Sequence, residues 1–142
     1  MSFEEKGTWI YAGIGFVVPA VYLAGIIGPL QNTAVGEVAY QLPMLTAIGV
    51  GIVLAIVARI VITITSPRDA DRSDERDANI NRFGEYVGGF VLWAGALVAL
   101  GMALAEFEHF WIANTIFAAF TVTGLTTSVV KIVGYRPGFE PW

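Results

Sequence analysis

Two groups of residues in this chain have types and spacings that could carry chemistry. The first is a row of hydroxyl and amine side chains, Thr123, Thr127 and Lys131, at four-residue spacing. On a helix this spacing places all three on one face, which suits either a polar path or hydrogen bonds to a neighbouring helix. Threonine also hydrogen-bonds to its own helix backbone, so a purely structural role is the competing interpretation.

The second group is an acidic run with interspersed arginines in the middle of the chain. Its acids are Asp71, Asp74, Glu75 and Asp77. Hard divalent cations bind several oxygen ligands, but Arg72 and Arg76 oppose a bound cation. The same charges fit a surface for a protein partner or for anionic headgroups, or a solvated segment with local ion pairs. The residues assigned to this candidate contact surface are Asp74, Glu75, Arg76, Asp77, Arg82 and Glu85.

A single arginine, Arg59, lies inside an apolar stretch of the sequence. It is about six residues from the end of that stretch, or about 9 Å deep at the helical rise per residue. Its long side chain can reach the interface from this depth. The alternatives are an ion pair with Glu85 that pins two helices, or a site for an anionic ligand. Lys131 is interpreted more simply as an anchor.

The absence of other motifs excludes several classes of function. The chain contains no cysteine and one histidine, His109. Thiol chemistry and bis-histidine haem ligation are therefore excluded. No carboxylate lies within the apolar stretches, which argues against a proton-coupled antiporter. Hydrolase, zinc-protease and P-loop motifs are missing as well, and Glu37, Glu106, Glu108 and His109 are a weak metal signal. We expect no catalytic residue, no cofactor and no nucleic-acid partner.

The elements that must position these residues are four long apolar segments. With 56% hydrophobic and 14% charged residues, the composition is that of a membrane protein. The segments cover about residues 9–30, 42–65, 86–105 and 110–135. Each reaches the roughly 20 residues that a helix needs to cross a bilayer, and continuous apolarity favours helices over a barrel. We predict one all-α domain, residues 1–142, folded as an antiparallel bundle of four transmembrane helices.

The distribution of basic residues predicts the orientation. All eight lie near one set of ends of the four segments, whereas the connections 31–41 and 106–109 contain none. The basic residues are Lys6, Arg59, Arg68, Arg72, Arg76, Arg82, Lys131 and Arg136. By the positive-inside rule, both termini and the loop 66–85 are cytoplasmic. The predicted location is the bacterial cytoplasmic membrane.

Small residues recur at four-residue spacing in three of the segments. The stripes are Ala20, Ala24 and Gly28; Ala47, Gly51 and Ala55; and Gly95, Ala99 and Ala103. Such stripes let neighbouring backbones approach closely, and we expect them to pack helices within the chain. The alternative is a surface for self-association.

Several motifs together resemble a family of small, uncharacterised four-span bacterial membrane proteins with a DERD-containing cytoplasmic loop. They are residues 4–6, 66–69, 74–88, 109–114 and 130–136. The resemblance extends over nearly the whole chain and implies the same topology. Because similar proteins are encoded beside short helix-turn-helix regulators, it also implies a sensing or regulatory role through the loop.

The leading hypothesis is a non-enzymatic membrane protein that acts by association, as a regulatory or accessory subunit. The expected partners are the lipid bilayer, a membrane or cytoplasmic protein that binds the loop, and further copies of the chain. One alternative is an oligomeric channel or small-solute carrier lined by the hydroxyls of the fourth segment. The other is a lipid-directed membrane enzyme.

Overall fold

The computed structural model describes residues 3–65 and 75–136, and it confirms the all-α prediction. The four long helices are α1, Phe3–Asn32; α2, Gln41–Thr65; α3, Glu75–Leu104; and α4, His109–Gly134. A short 3-10 helix, Val35–Glu37, lies between α1 and α2. All four long helices are long and apolar enough to cross a membrane. The architecture is that of a multi-pass membrane protein.

Apolar side chains cover most of the outer surface of the protein. In the most apolar stretch of each long helix, only 11–17% of the residues are buried inside the chain. A surface this apolar is unfavourable in water and favourable in hydrocarbon, where the helices satisfy their own backbone hydrogen bonds. The exposed apolar residues therefore face lipid or another membrane protein.

The helices are packed in the spatial order α2, α1, α4, α3. Helix α4 packs against both α1 and α3, while α2 packs against α1. Helices α1 and α2 run antiparallel, because Gly7 near the start of α1 faces Ile62 near the end of α2, and α3 and α4 do so because Ile80 near the start of α3 faces Gly134 at the end of α4. All lysines and arginines in the described residues lie at this end of the bundle, which we call the basic side. The opposite end, with Glu37, Glu106 and Glu108, is the acidic side.

A small hydrophobic core closes the bundle on the acidic side. It consists of the buried side chains of Tyr22, Ile26, Val38, Met44 and Phe110. The core holds the connection between α1 and α2 against α4, so this connection is packed and not a free loop. On the same side, the residue two positions after the end of α3, Glu106, is left-handed, with a φ of 57°. The N–H of Phe107 donates to the carbonyl of Met102, as in a Schellman cap.

The closest helix contact is between α3 and α4, and glycines make it. A Cβ added to Gly84 would lie 2.7 Å from Cγ of Lys131, and one added to Gly134 would lie 2.9 Å from Cγ2 of Ile80. A Cβ on Gly88 would overlap the hydroxyl of Thr127. We call this row of contacts the α3–α4 seam. It depends on the absence of side chains at these glycines.

The three small-residue stripes have different environments. In the α3 stripe, Ala99 is buried and a Cβ on Gly95 would overlap Ala119, but Ala103 is exposed. In the α2 stripe, Gly51 lies against Val18 of α1. Gly95, Ala99 and Gly51 thus pack within the chain as predicted. The α1 stripe is an exception: Ala20, Ala24 and Gly28 are all exposed.

Candidate functional site

Helix α3 begins well before its apolar stretch. The sequence predicted a loop over residues 66–85, but the chain is helical from Glu75. Because the apolar stretch starts near Tyr86, residues 75–85 continue the helix for about 16 Å beyond it. We call this segment the α3 extension. Asp71 and Asp74, which the sequence placed in the acidic run, lie outside the described residues.

One face of the α3 extension is fixed to the end of α4. Ile80 is only 1% exposed and lies directly against Gly134. The guanidinium of Arg76 donates a long hydrogen bond of 3.4 Å to the carbonyl of Arg136. Ile80 thus continues the packed face of α3 beyond its apolar stretch. Since α4 supports it over this length, the extension does not depend on its own helix propensity.

An ion pair at the base of the extension also joins α3 to α4. Nζ of Lys131 donates to Oε1 of Glu85 over 2.6 Å. The Lys131 side chain is 15% exposed because its methylene stem lies over Gly84, while the Glu85 side chain is 70% exposed. Solvent at Glu85 limits the contribution of the pair to about 1 kcal/mol or less.

A second ion pair gives Arg59 a different partner from the one considered from the sequence. Both terminal nitrogens of Arg59 lie 3.4 Å from Oε1 of Glu4. The pair therefore joins α2 to α1, whereas Glu85 pairs with Lys131 on α4. The Arg59 side chain is 49% exposed, and its guanidinium lies beside Glu4 in the first turn of α1 on the basic side.

The candidate polar path on α4 lies in the α3–α4 seam. Thr127 is buried, with its hydroxyl oxygen over the backbone of Gly88. The hydroxyl of Thr123 is buried and has no hydrogen-bond partner among the described residues. Two apolar grooves, of about 420 and 350 Å³, are lined by other residues. Within one chain, these hydroxyls are therefore helix contacts.

A polar contact inside the bundle joins α1 to α4 on the acidic side. The hydroxyl of Tyr22 donates to Oδ1 of Asn114 over 2.8 Å, and the Asn114 amide donates to the carbonyl of Phe110. The sequence analysis did not predict this contact. The signal in the sequence was that Tyr22 and Asn114 place polar groups at a similar depth in two apolar segments. Close by, the Glu108 carboxylate lies against Gly36.

Most charged residues of the α3 extension are exposed. Glu75, Arg76 and Arg82 are exposed, and Asp77 is partly buried. Both signs of charge are thus presented on a supported helix. In the ranges 3–65 and 75–136, no three acidic or histidine side chains are grouped closely enough to hold a metal ion.

The glycines of the seam are structural residues that sequence reasoning missed. Gly84 and Gly88 form a Gly-x-x-x-Gly motif, which is the established signal for close helix contact in membranes.

Comparison of the chain with protein-family models, characterised proteins and solved structures finds no match.

Proposed function

We propose that the protein is non-enzymatic and acts by association, with the exposed face of the α3 extension as its contact surface for another protein. The observation that carries the proposal is a charged helical face that projects about 16 Å beyond the apolar stretch of α3. Its opposite face is held against α4 by Ile80. The partner would be a cytoplasmic protein or the cytoplasmic part of a membrane protein.

A supported helix is a favourable contact surface because its backbone is ordered before binding. Ordering a segment during association reduces the affinity, and this cost is smaller for the α3 extension than for a free loop. Charges of both signs, on Glu75, Arg76 and Asp77, select partners with the complementary pattern. These features suit a regulatory or accessory subunit.

We place the basic side in the cytoplasm of a bacterium and the protein in the cytoplasmic membrane. This placement follows from the asymmetric distribution of lysine and arginine. The resemblance to four-span proteins with a DERD-containing loop supports a regulatory role as well. The channel alternative receives no support from the geometry, because Thr123 and Thr127 are packed against α3.

Site-specific crosslinking from the exposed face tests the proposal. A photoreactive amino acid at Asn79, which is exposed on the extension, should crosslink a specific protein in native membranes. The matched control is the same group at Phe107, which is 51% exposed on the acidic side. Crosslinking at Asn79 should disappear when Glu75 and Asp77 are both changed to lysine. It should persist in Glu106→Lys, which reverses one charge on the acidic side.

Two results would contradict the proposal. One is a crosslinked product from Asn79 that is unchanged when both acids are reversed. The other is the absence of any protein product at Asn79 in membranes where the chain is inserted and folded. Far-UV circular dichroism and gel filtration of each purified variant establish that the fold is retained.

A further inference from the structure

Helix α3 has another exposed face, which begins where the extension enters the apolar stretch. Arg82, Tyr86, Gly89, Phe90 and Trp93 follow one another on this face at helical spacing. The last four line a shallow groove of about 350 Å³. Helix α4 packs on a different face of α3, the one that contains Gly84, Gly88 and Gly95.

The groove is formed by aromatic side chains around a glycine. A Cβ added to Gly89 would meet nothing within 4 Å, so the floor is open. Tyr86 and Phe90 form one wall, with their rings edge to face at 5.0 Å. Trp93 forms the deeper end and is 73% exposed. The groove is lined almost entirely by apolar atoms, which suits a hydrocarbon chain.

A cation lies at the end of the groove nearest the basic side. Arg82 is one helical turn, about 5–6 Å, from Tyr86. It is exposed and has no ion-pair partner within residues 3–65 and 75–136. The nearest acid in the sequence, Glu85, is paired with Lys131, while Asp77 and Glu75 lie farther from the apolar stretch, about one and a half and two turns before Arg82. Among the described residues, no carboxylate therefore pairs with the positive charge of Arg82 next to the groove.

We infer that this face binds an anionic phospholipid, with its phosphate at Arg82 and an acyl chain in the groove over Gly89. The apolar stretch begins near Tyr86, so Arg82 lies at headgroup depth and Trp93 in the hydrocarbon. The guanidinium matches phosphate geometry with two parallel donors. Tyr86 places an amphipathic ring at the interface between the two parts of the lipid.

A second copy of the chain fits this face less well than a lipid does. Two copies related by a two-fold axis along the membrane normal present the same residue at the same depth. Arg82 of one copy would then approach Arg82 of the other, and this like-charge contact is unfavourable. An anionic headgroup neutralises the same charge. The inference shares Arg82 with the exposed face of the α3 extension, but it does not require Glu75, Arg76 or Asp77, whose charges the proposed protein contact uses.

Quenching of tryptophan fluorescence by brominated lipids tests the inference on the full chain. Phosphatidylglycerol or phosphatidylcholine with brominated acyl chains is titrated into mixed micelles that contain the protein. The chain has four tryptophans, so the signal of Trp93 is the difference between the native protein and Trp93→Phe. Phosphatidylglycerol should quench this signal at about fivefold lower mole fraction, which corresponds to about 1 kcal/mol for one basic residue at an anionic surface.

Two pairs of variants separate the headgroup contact from the chain contact. Arg82→Gln should remove the preference for phosphatidylglycerol, while Lys6→Gln, also at an exposed cation on the basic side, should keep it. Gly89→Leu should fill the groove and reduce quenching by both lipids. Gly101→Leu is the matched control, since a Cβ at Gly101 also meets nothing within 4 Å.

Equal quenching of native Trp93 by the two lipids would overturn the inference. A preference that survives in Arg82→Gln would overturn it as well. If quenching is weak with both lipids and cysteines placed at position 93 crosslink two chains, the occupant of the face is a second copy. The crosslinking test at Asn79 is decided by Glu75 and Asp77 and the lipid test by Arg82 and Gly89, so the two proposals fail separately.

Discussion

Replacement of Gly88 by alanine should weaken the α3–α4 seam. The new methyl group would overlap Oγ1 of Thr127 and would lie 3.4 Å from Cγ2 of Thr123, so the two helices must separate or Thr127 must rotate. Overpacking of this kind costs about 1–3 kcal/mol, and the better helix propensity of alanine offsets up to about 1 kcal/mol. We expect a net loss of about 1 kcal/mol in the free energy of unfolding.

The measurement is equilibrium unfolding of the purified protein in mixed micelles with increasing denaturing detergent, followed by far-UV circular dichroism. Gly101→Ala on the same helix is the control and should be neutral or slightly stabilising, because its site is open. Adding Thr127→Ala to Gly88→Ala removes the overlapping oxygen and should recover stability, with a coupling of about 1–2 kcal/mol. Equal free energies for Gly88→Ala and Gly101→Ala would refute the close approach of α3 and α4 at this point.

Three further predictions concern single contacts and use the same unfolding measurement. Tyr22→Phe should cost about 0.5–1.5 kcal/mol, because it removes the hydrogen bond to Asn114; no loss would contradict that bond. Lys131→Met keeps the packed stem but loses the pair with Glu85, so it should lower the free energy of unfolding less than Lys131→Ala does. The reverse order would contradict the packing of the Lys131 stem as the main contribution of this residue. Glu106→Gly should raise the free energy of unfolding by up to about 1 kcal/mol, since glycine adopts positive φ without strain; a decrease would contradict the left-handed cap.

The helical class and the number of long apolar helices could be predicted from the sequence because hydrocarbon leaves few options for the backbone. A continuous apolar stretch of more than 20 residues must satisfy its own hydrogen bonds, and a helix does so. The antiparallel order then follows from the short connections. The start of α3 at Glu75 was harder to predict, because the charged residues of the extension are as common in loops as on exposed helix faces.

Side-chain partners could not be predicted reliably, because they depend on which helices are neighbours. Arg59 and Glu85 lie at similar depth on consecutive helices, so a pair between them was a reasonable expectation. Helix α2 packs against α1, however, and the partner of Arg59 is Glu4. For the same reason, the hydroxyls of Thr123 and Thr127 had two interpretations in the sequence, and only the position of α3 against α4 places them in a seam.

Cysteine accessibility in whole cells tests the topology on which the account depends. The chain has no native cysteine, so each single-cysteine variant reports one position. A membrane-impermeant maleimide should label Phe107→Cys in intact cells, and it should label Asn79→Cys only after the cells are permeabilised. Labelling of Asn79→Cys in intact cells, or labelling of both positions from the same side of the membrane, would contradict a four-span protein with its charged α3 extension in the cytoplasm.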